Sequence, residues 1–393
     1  MSARPHAPGK QRPHRNWAVL GLGLCLLAIL PVFLAWPNLR AFLQAAAVLE
    51  QLNGQPVPRL LRPVAAMPLR ESDMTVPSSA GPVRARLYTP VRRENAPGLV
   101  LVPGIHYMGM NEPRLVAFAR SLAGCGLRVL TPELPDSRDY QIRPSDVAAI
   151  GDSAHWLAAT TGRRVGLMGL SFSGGLALMA AARRTYSSDI SFVFSVGAHD
   201  DLFRVASFYT SQADPLPNGD VERATPNTYG PMVLEYEHLE DFVPPADVAA
   251  VRPVLRAKLY EDAALEKRLL ANLTSAQQAE YRHLIDTTHQ DWVLAASDNK
   301  HFAEMEAVSP HGHLAGLDVP VYLLHGRGDT LVPFAETEWL AQDLPRGTLA
   351  DMVISPLIAH VGIARERSQG WQKWQLLHLM AQVMERAERP PTR

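Results

Sequence analysis

The sequence has few cysteines, almost no net charge and no internal repeats, and each absence excludes a class of protein. Two cysteines among 393 residues cannot form a disulfide scaffold. We expect both to be free structural thiols, Cys25 in an apolar run and Cys125 between two glycines. The 38 basic and 39 acidic residues leave a net charge of −1, which gives no electrostatic basis for nucleic-acid binding.

Metal-ligand spacing is also missing from the sequence. His283, His289, His301, His311 and His313 are scattered over the second half of the chain, and none pairs with a carboxylate at helical i, i+4 spacing. We therefore expect no metal site and no cofactor.

Charged side chains are absent from residues 16 to 39. Residues 17–36 are mostly apolar, close to the length that spans a bilayer, with Trp17 and Trp36 at the two ends. Basic residues without acidic ones precede this run. The pattern predicts a basic cytoplasmic tail over 1–15 and a single transmembrane anchor over 16–39. The anchor would lie in an inner (cytoplasmic) membrane, with the remaining chain on the periplasmic or extracellular side. A cleaved signal peptide is the alternative, although the apolar run is longer than the usual one.

Apolar β-type runs alternate with helical segments after residue 66. The strands are predicted at 74–76, 83–88, 97–102, 127–130, 165–170, 192–196, 319–324 and 352–354, and the helices that separate most of them at 113–122, 145–159, 174–184, 334–344 and 371–387. This alternation predicts an α/β protein with a mainly parallel, doubly wound sheet covered by helices on both faces.

Residues 201–318 interrupt this alternation with apolar residues at helical spacing, such as Leu265 and Leu269. We expect a helical cap insertion there, a core formed by 66–200 and 319–390, and a spacer over 40–65. A cap shapes a substrate pocket and excludes water from it. The aromatic residues of this region either line that pocket or form the core of the cap; they are Tyr209, Tyr229, Tyr236 and Phe242.

The most informative segment is G-L-S-F-S-G-G over residues 169–175, between a predicted strand and a predicted helix. A strand, a tight turn of small residues and a helix form a nucleophile elbow, usually G-x-S-x-G, with serine exposed at the apex. The strand leads directly into Ser171, which we predict to be the nucleophile. Ser173 occupies the usual second glycine position, and a shifted frame would make it the nucleophile instead. A glycine-rich turn without chemistry is the third interpretation.

Two later loops supply the partners that a serine nucleophile needs. Asp329 follows the strand at 319–324, and His360 follows the strand at 352–354. The order Ser, Asp, His is that of the α/β-hydrolase arrangement. In such a triad His360 would take the proton of Ser171, and Asp329 would orient the imidazole and stabilise its cation. The amide of Phe172, at the start of the helix, would stabilise the developing oxyanion.

From about residue 66 onward these motifs resemble the α/β-hydrolase superfamily, especially its bacterial dienelactone-hydrolase-like and esterase-like members. Most relatives carry His-Gly where this chain has Pro103-Gly104, and that match implies Ile105 as the second oxyanion amide. His106 is either a structural hydrogen-bonding residue or a substrate contact. Dienelactone hydrolases themselves use cysteine at the elbow, and dehalogenating or epoxide-opening members use aspartate, so Ser171 disfavours those activities.

The triad and the resemblance imply a serine hydrolase that acts on a small carboxylic ester or another acyl substrate through an acyl-enzyme, and the predicted anchor would hold it in a membrane. A peptidase or acyltransferase with the same triad is the alternative. A hydrolase fold without activity, serving as a scaffold or binding module, is a third possibility. The sequence leaves the substrate and the oligomeric state open.

Overall fold

A computed structural model describes residues 38–285, 291–359, 362–363 and 370–389. The predicted tail, Cys25 and residues 16–37 of the predicted anchor lie outside these ranges, as does His360. Within the described ranges, no helix is long and apolar enough to cross a bilayer.

The centre of the fold is an eight-stranded sheet in the order β1-β2-β4-β3-β5-β6-β9-β10. β1 and β2 run antiparallel to their neighbours, and the other strands pair in parallel. The predicted mainly parallel sheet is therefore confirmed, and it fits the α/β-hydrolase fold. Its strands are β1 (Leu69–Val76), β2 (Val83–Pro90), β3 (Gly98–Val102), β4 (Arg128–Pro132), β5 (Val165–Leu170), β6 (Ile190–Val196), β9 (Val321–Gly326) and β10 (Leu349–Ser355).

The first strand begins earlier than its sequence pattern suggests. The sequence pattern predicts the first strand only from residue 74. In the structure β1 begins at Leu69 and pairs along its whole length with β2. The residues from Arg70 to Asp73 are polar and exposed, so no apolar alternation marks them as a strand. Backbone pairing at the sheet edge extends β1 instead.

Helices cover both faces of the sheet and fill the region between β6 and β9. Two short hairpins, β7 (Ala213–Pro215) with β8 (Val221–Arg223) and β11 (Ile358–Ala359) with β12 (Gly362–Ile363), lie outside the main sheet. The described helices are α1 (38–52), α2 (Arg62–Ala65), α3 (Pro113–Gly124), α4 (Pro135–Arg138), α5 (Pro144–Thr161), α6 (Phe172–Ala182), α7 (Arg184–Ser187), α8 (Leu202–Ser211), α9 (Tyr229–Glu237), α10 (Val248–Leu259), α11 (Ala263–Leu270), α12 (Ser275–Ile285), α13 (Asp291–Lys300), α14 (Phe302–Glu306), α15 (Ala335–Asp343) and α16 (Gly370–Glu388).

The helices between β6 and β9 have an apolar cluster of their own. Val251, Leu255, Tyr281 and Leu284 are almost fully buried in it, together with Tyr236. The helical spacing in the sequence therefore corresponds to packed helices, and the role of this region as a cap over the site stays a prediction.

Helix α1 overlaps the first part of the predicted spacer over 40–65, and it packs into the fold. Ala45 and Val48 are fully buried in the apolar cluster that α1 shares with α3 and α16. The Gln44 side-chain amide donates to the carbonyl oxygen of Cys125 over 2.7 Å. Cys125 is a buried free thiol, as predicted, and burial raises its pKa to about 12.

Candidate active site

Ser171 lies at the tight turn between β5 and α6, at the carboxyl end of a central parallel strand. Its φ of 56° and ψ of −139° are strained for a residue with a side chain. Neighbouring glycines let the backbone come this close. A Cβ on Gly169 would lie 2.3 Å from the Ser173 carbonyl oxygen, and one on Gly104 would lie 3.3 Å from the Ser171 Cβ. The predicted elbow geometry is thus present at Ser171.

The structure distinguishes the two serines of the turn. Ser171 lines a cavity, whereas Ser173 is fully buried in the first turn of α6 and belongs to the lining of neither cavity found beside the elbow. A nucleophile must reach its substrate, so the exposure of the two side chains favours Ser171.

The first cavity, of about 350 Å³, lies between the β3–α3 loop, the elbow and helix α9. It is of the size that small-molecule ligands occupy. Its lining is mainly apolar and includes Ile142, Leu202, Val233, Leu234 and Leu331. We call it cavity 1.

Both predicted oxyanion residues, Ile105 and Phe172, line cavity 1 beside Ser171. Neither amide donates in any backbone hydrogen bond found among the described residues. Phe172 is the first residue of α6, where the amide has no intrahelical acceptor and the helix dipole is positive. The two amides can therefore donate to an oxygen atom that develops negative charge beside Ser171.

His106 has the structural role that the sequence allowed, and it also lies at the wall of cavity 1. Its Nδ1 accepts from the Met108 amide over 3.2 Å, and the residue also lines cavity 1. Burial lowers the pKa of His106. With Nδ1 accepting, the neutral ring carries its proton on Nε2 and can donate it in the cavity.

Asp329 follows β9, and the fold holds its carboxylate in place. Its Oδ1 accepts from the amides of Leu331 and Val332 over 2.9 and 3.1 Å. β9 lies two strands from β5 in the sheet, which places the two loops roughly 10 Å apart at the usual strand spacing. An imidazole is needed between the Ser171 hydroxyl and the Asp329 carboxylate to complete a triad.

His360 lies outside the described residues. Two other histidines near the elbow, His325 and His199, have structural roles. His325 Nε2 is 3.5 Å from the Asp329 carboxylate, but it lies 2.9 Å from the Val332 carbonyl oxygen and the residue is fully buried. His199 is also fully buried, with Nε2 3.0 Å from the Val308 carbonyl oxygen, and burial lowers its pKa to about 4. Neither residue lines cavity 1.

Two of the four aromatic residues singled out in the sequence line the site, and all four pack in or against the apolar clusters of the fold. Tyr209 and Tyr229 line cavity 1. Tyr236 and Phe242 are absent from its lining and pack in the apolar cluster of the inserted helices. Sequence spacing could not separate the two groups, since all four lie in one region of mixed apolar and polar residues.

Tyr209 has a contact that sequence reasoning missed. Its hydroxyl donates to the Leu331 carbonyl oxygen over 2.7 Å, across 122 positions of sequence. It therefore holds the loop that carries Asp329. Nothing in the local sequence marks this pair, because the contact exists only once α8 has packed against the β9–α15 loop.

Within the part of the chain that the structure describes, two groups of side chains have the composition of metal ligands. His238, His301 and Glu304 form one, and Asp200, His311 and Asp343 form the other. In the second group Arg204 already donates to the Asp200 carboxylate, and in the first His301 faces Asp241 as well as Glu304. Neither group includes a residue that lines cavity 1.

Comparisons with known proteins add structural likeness only. No protein-family model and no curated protein matches the chain. An esterase from the archaeon Pyrobaculum calidifontis is 17% identical, with 88% of each chain covered and a TM-score of 0.42. The esterase domain of a Rhodothermus marinus protein is 15% identical, with 80% of this chain and 95% of that chain covered and a TM-score of 0.41.

A dienelactone hydrolase from Anabaena variabilis is 17% identical, with 81% of this chain and 95% of that chain covered and a TM-score of 0.42. Likeness at this level carries no weight for activity. The assignment of the fold depends on the strand order and on the turn at Ser171.

Proposed function

We propose that the protein is a serine hydrolase that cleaves carboxylic esters through an acyl-enzyme. The observation that carries the proposal is the strained Ser171, placed at a strand-to-helix turn and lining a mainly apolar cavity with two oxyanion-type amides. In a nucleophile elbow this arrangement presents the serine hydroxyl to the carbonyl group of a substrate.

In the proposed mechanism Ser171 Oγ attacks the ester carbonyl carbon, and its proton passes to His360. The amides of Ile105 and Phe172 stabilise the oxyanion, and the imidazolium then gives its proton to the leaving alcohol. Water attacks the acyl-enzyme in the second half-reaction. Asp329, fixed by two amides, orients the imidazole. His360 is proposed from the sequence, where it follows the predicted strand at 352–354 and completes the order Ser, Asp, His.

The lining of cavity 1 favours an uncharged ester over a peptide. Much of it consists of aliphatic and aromatic side chains, and its charged residues, Glu112, Arg114 and Glu261, include an ion pair in which Arg114 Nε lies 2.7 Å from Glu112 Oε1. A peptide backbone would bring several amide groups that need hydrogen-bonding partners. Peptidase and acyltransferase activity with the same residues are the alternatives.

We also propose that residues 16–39 anchor the enzyme in a membrane.

The direct test compares 4-nitrophenyl esters with peptide 4-nitroanilides as substrates of the wild-type protein and of Ser171→Ala. We expect ester hydrolysis that the substitution lowers by roughly 10⁶-fold in kcat, the cost of removing a triad nucleophile. Asp329→Asn should lower kcat by about 10⁴-fold. Equal ester turnover by wild type and Ser171→Ala would rule out the proposal, and turnover of nitroanilides alone would favour the peptidase.

A further inference from the structure

A second cavity touches Ser171 from a different set of elements. It has a volume of about 370 Å³, and its lining comes from the end of α1, the start of α3, the carboxyl ends of β6 and β9, and α16. We call it cavity 2. Apolar side chains dominate its lining: Leu49, Leu52, Phe118, Phe194, Leu324 and Met380.

The two cavities meet at the nucleophile. Leu170 and Ser171 belong to both linings, as do Glu112, Arg114 and Leu115 at the start of α3. Both oxyanion amides and α9 belong to cavity 1 alone, whereas α1, α16 and Ile358 belong to cavity 2 alone. A carbonyl group bound at Ser171 would therefore have apolar space on two sides.

Cavity 2 has the size and the mainly apolar lining that small-molecule sites have in proteins. Its floor is well buried, since Phe194, Leu324 and Met380 are each at most 4% exposed. Because Ser171 belongs to the lining, a group bound in cavity 2 would lie beside the serine hydroxyl.

We propose that cavity 2 binds one apolar arm of the ester while cavity 1 binds the other, so that the substrate carries alkyl or aryl groups on both sides of its ester bond. This inference rests on the proposed esterase function. It gives α1, which overlaps the predicted spacer, a role in substrate binding. Extending an arm into an apolar cavity should raise kcat/KM by about fourfold per methylene until the cavity is full.

The experiment fills each cavity separately with a larger side chain. It then measures kcat/KM for two series of esters. Leu52→Trp adds bulk to cavity 2, from a half-buried position on α1, and Val233→Phe adds bulk to cavity 1 from α9. One series varies the acyl chain from two to eight carbons with a fixed alcohol, and the other varies the alcohol with a fixed acetyl group. Leu60→Trp is the control, because Leu60 is 91% exposed and lines neither cavity.

We expect Leu52→Trp to lower the preference for long over short chains at least tenfold in one series, and Val233→Phe to do so in the other. The control should keep both preferences. If Leu52→Trp leaves both series unchanged, or if the two variants affect the same series, cavity 2 does not hold a separate arm.

A binding measurement separates this inference from the proposed function. Calorimetric titration with 1-octanol should give two sites on the wild-type protein and one on each cavity variant, whether or not esters are cleaved. If the wild type cleaves no ester yet Leu52→Trp loses one octanol site, the proposed function fails and cavity 2 remains an apolar binding site. Retention of both octanol sites by Leu52→Trp would overturn the assignment of cavity 2.

Discussion

Single residues of the site differ in how the fold holds their hydroxyl and carboxylate groups. Ser171 has a strained backbone and a cavity in front of it, whereas Ser173, two residues later, is fully buried. Asp329 is fixed by two amides of its own loop. Tyr209, on helix α8, holds that loop by donating a hydrogen bond to the Leu331 carbonyl oxygen.

We predict that Tyr209→Phe lowers kcat more than it changes KM. Loss of the hydroxyl leaves the Leu331 carbonyl oxygen without its donor, which should cost about 1–3 kcal/mol of stability and loosen the loop of Asp329. Steady-state kinetics with a 4-nitrophenyl ester and thermal unfolding measure the two effects. Tyr236→Phe is the matched control, because that hydroxyl lies 3.3 Å from Asp139 and the residue does not line cavity 1. Equal kcat values for the two variants would show that Tyr209 does not position the loop.

At the scale of elements, sequence reasoning succeeds where the signal is local. The elbow could be predicted because a strand, a small-residue turn and a helix follow one another within residues 165–182. The parallel sheet could be predicted because its buried strands are short apolar runs. Local sequence did not reveal the packing of α1 or the existence of cavity 2. Both arise from contacts between α1, α3 and α16, which are far apart in the chain.

Helix α9 supplies a prediction about pH. Glu235 is 2% exposed, and burial raises its pKa to about 8. Between pH 5 and 8 the folded protein therefore keeps a proton that the unfolded chain releases, and rising pH favours unfolding by at most about 1.4 kcal/mol per pH unit. Glutamine cannot ionise, so the free energy of unfolding of Glu235→Gln relative to that of wild type should rise from pH 5 to pH 8.

Chemical denaturation at several pH values measures this difference. Glu240→Gln is the control, because Glu240 is an exposed residue whose side chain lies 3.3 Å from Arg252. A gap between Glu235→Gln and wild type that stays constant over this range would show that Glu235 ionises in the folded protein much as it does in the unfolded chain.

At the scale of the whole molecule, the chain joins a hydrolase-like fold to an apolar N-terminal run. The described part of helix α1 starts at residue 38, two positions after residues 17–36, and its last turns line cavity 2. If residues 16–39 anchor the protein, the fold is tethered through the same helix that contributes to the site. A tethered ester hydrolase would meet apolar substrates at the membrane surface.

We predict that the full-length protein, expressed in a Gram-negative bacterium, stays with the membranes after carbonate extraction and that protease added to spheroplasts digests the residues that follow the anchor. The reason is the basic N-terminal side of an uncharged apolar run. Release of the full-length chain by carbonate, or protection of the catalytic domain, would refute the anchored and outward-facing arrangement. Detection of a shortened N-terminus would instead indicate a cleaved signal peptide.

The most direct test of the central claim is covalent labelling of the native protein with a fluorophosphonate, followed by fragmentation of the peptide that contains residues 169–175. Phosphonylation requires a serine activated by a base and supported by oxyanion donors. We expect one adduct, on Ser171 Oγ, that disappears in Ser171→Ala and persists in Ser173→Ala. An adduct on Ser173, or a wild-type protein that does not react, would contradict it.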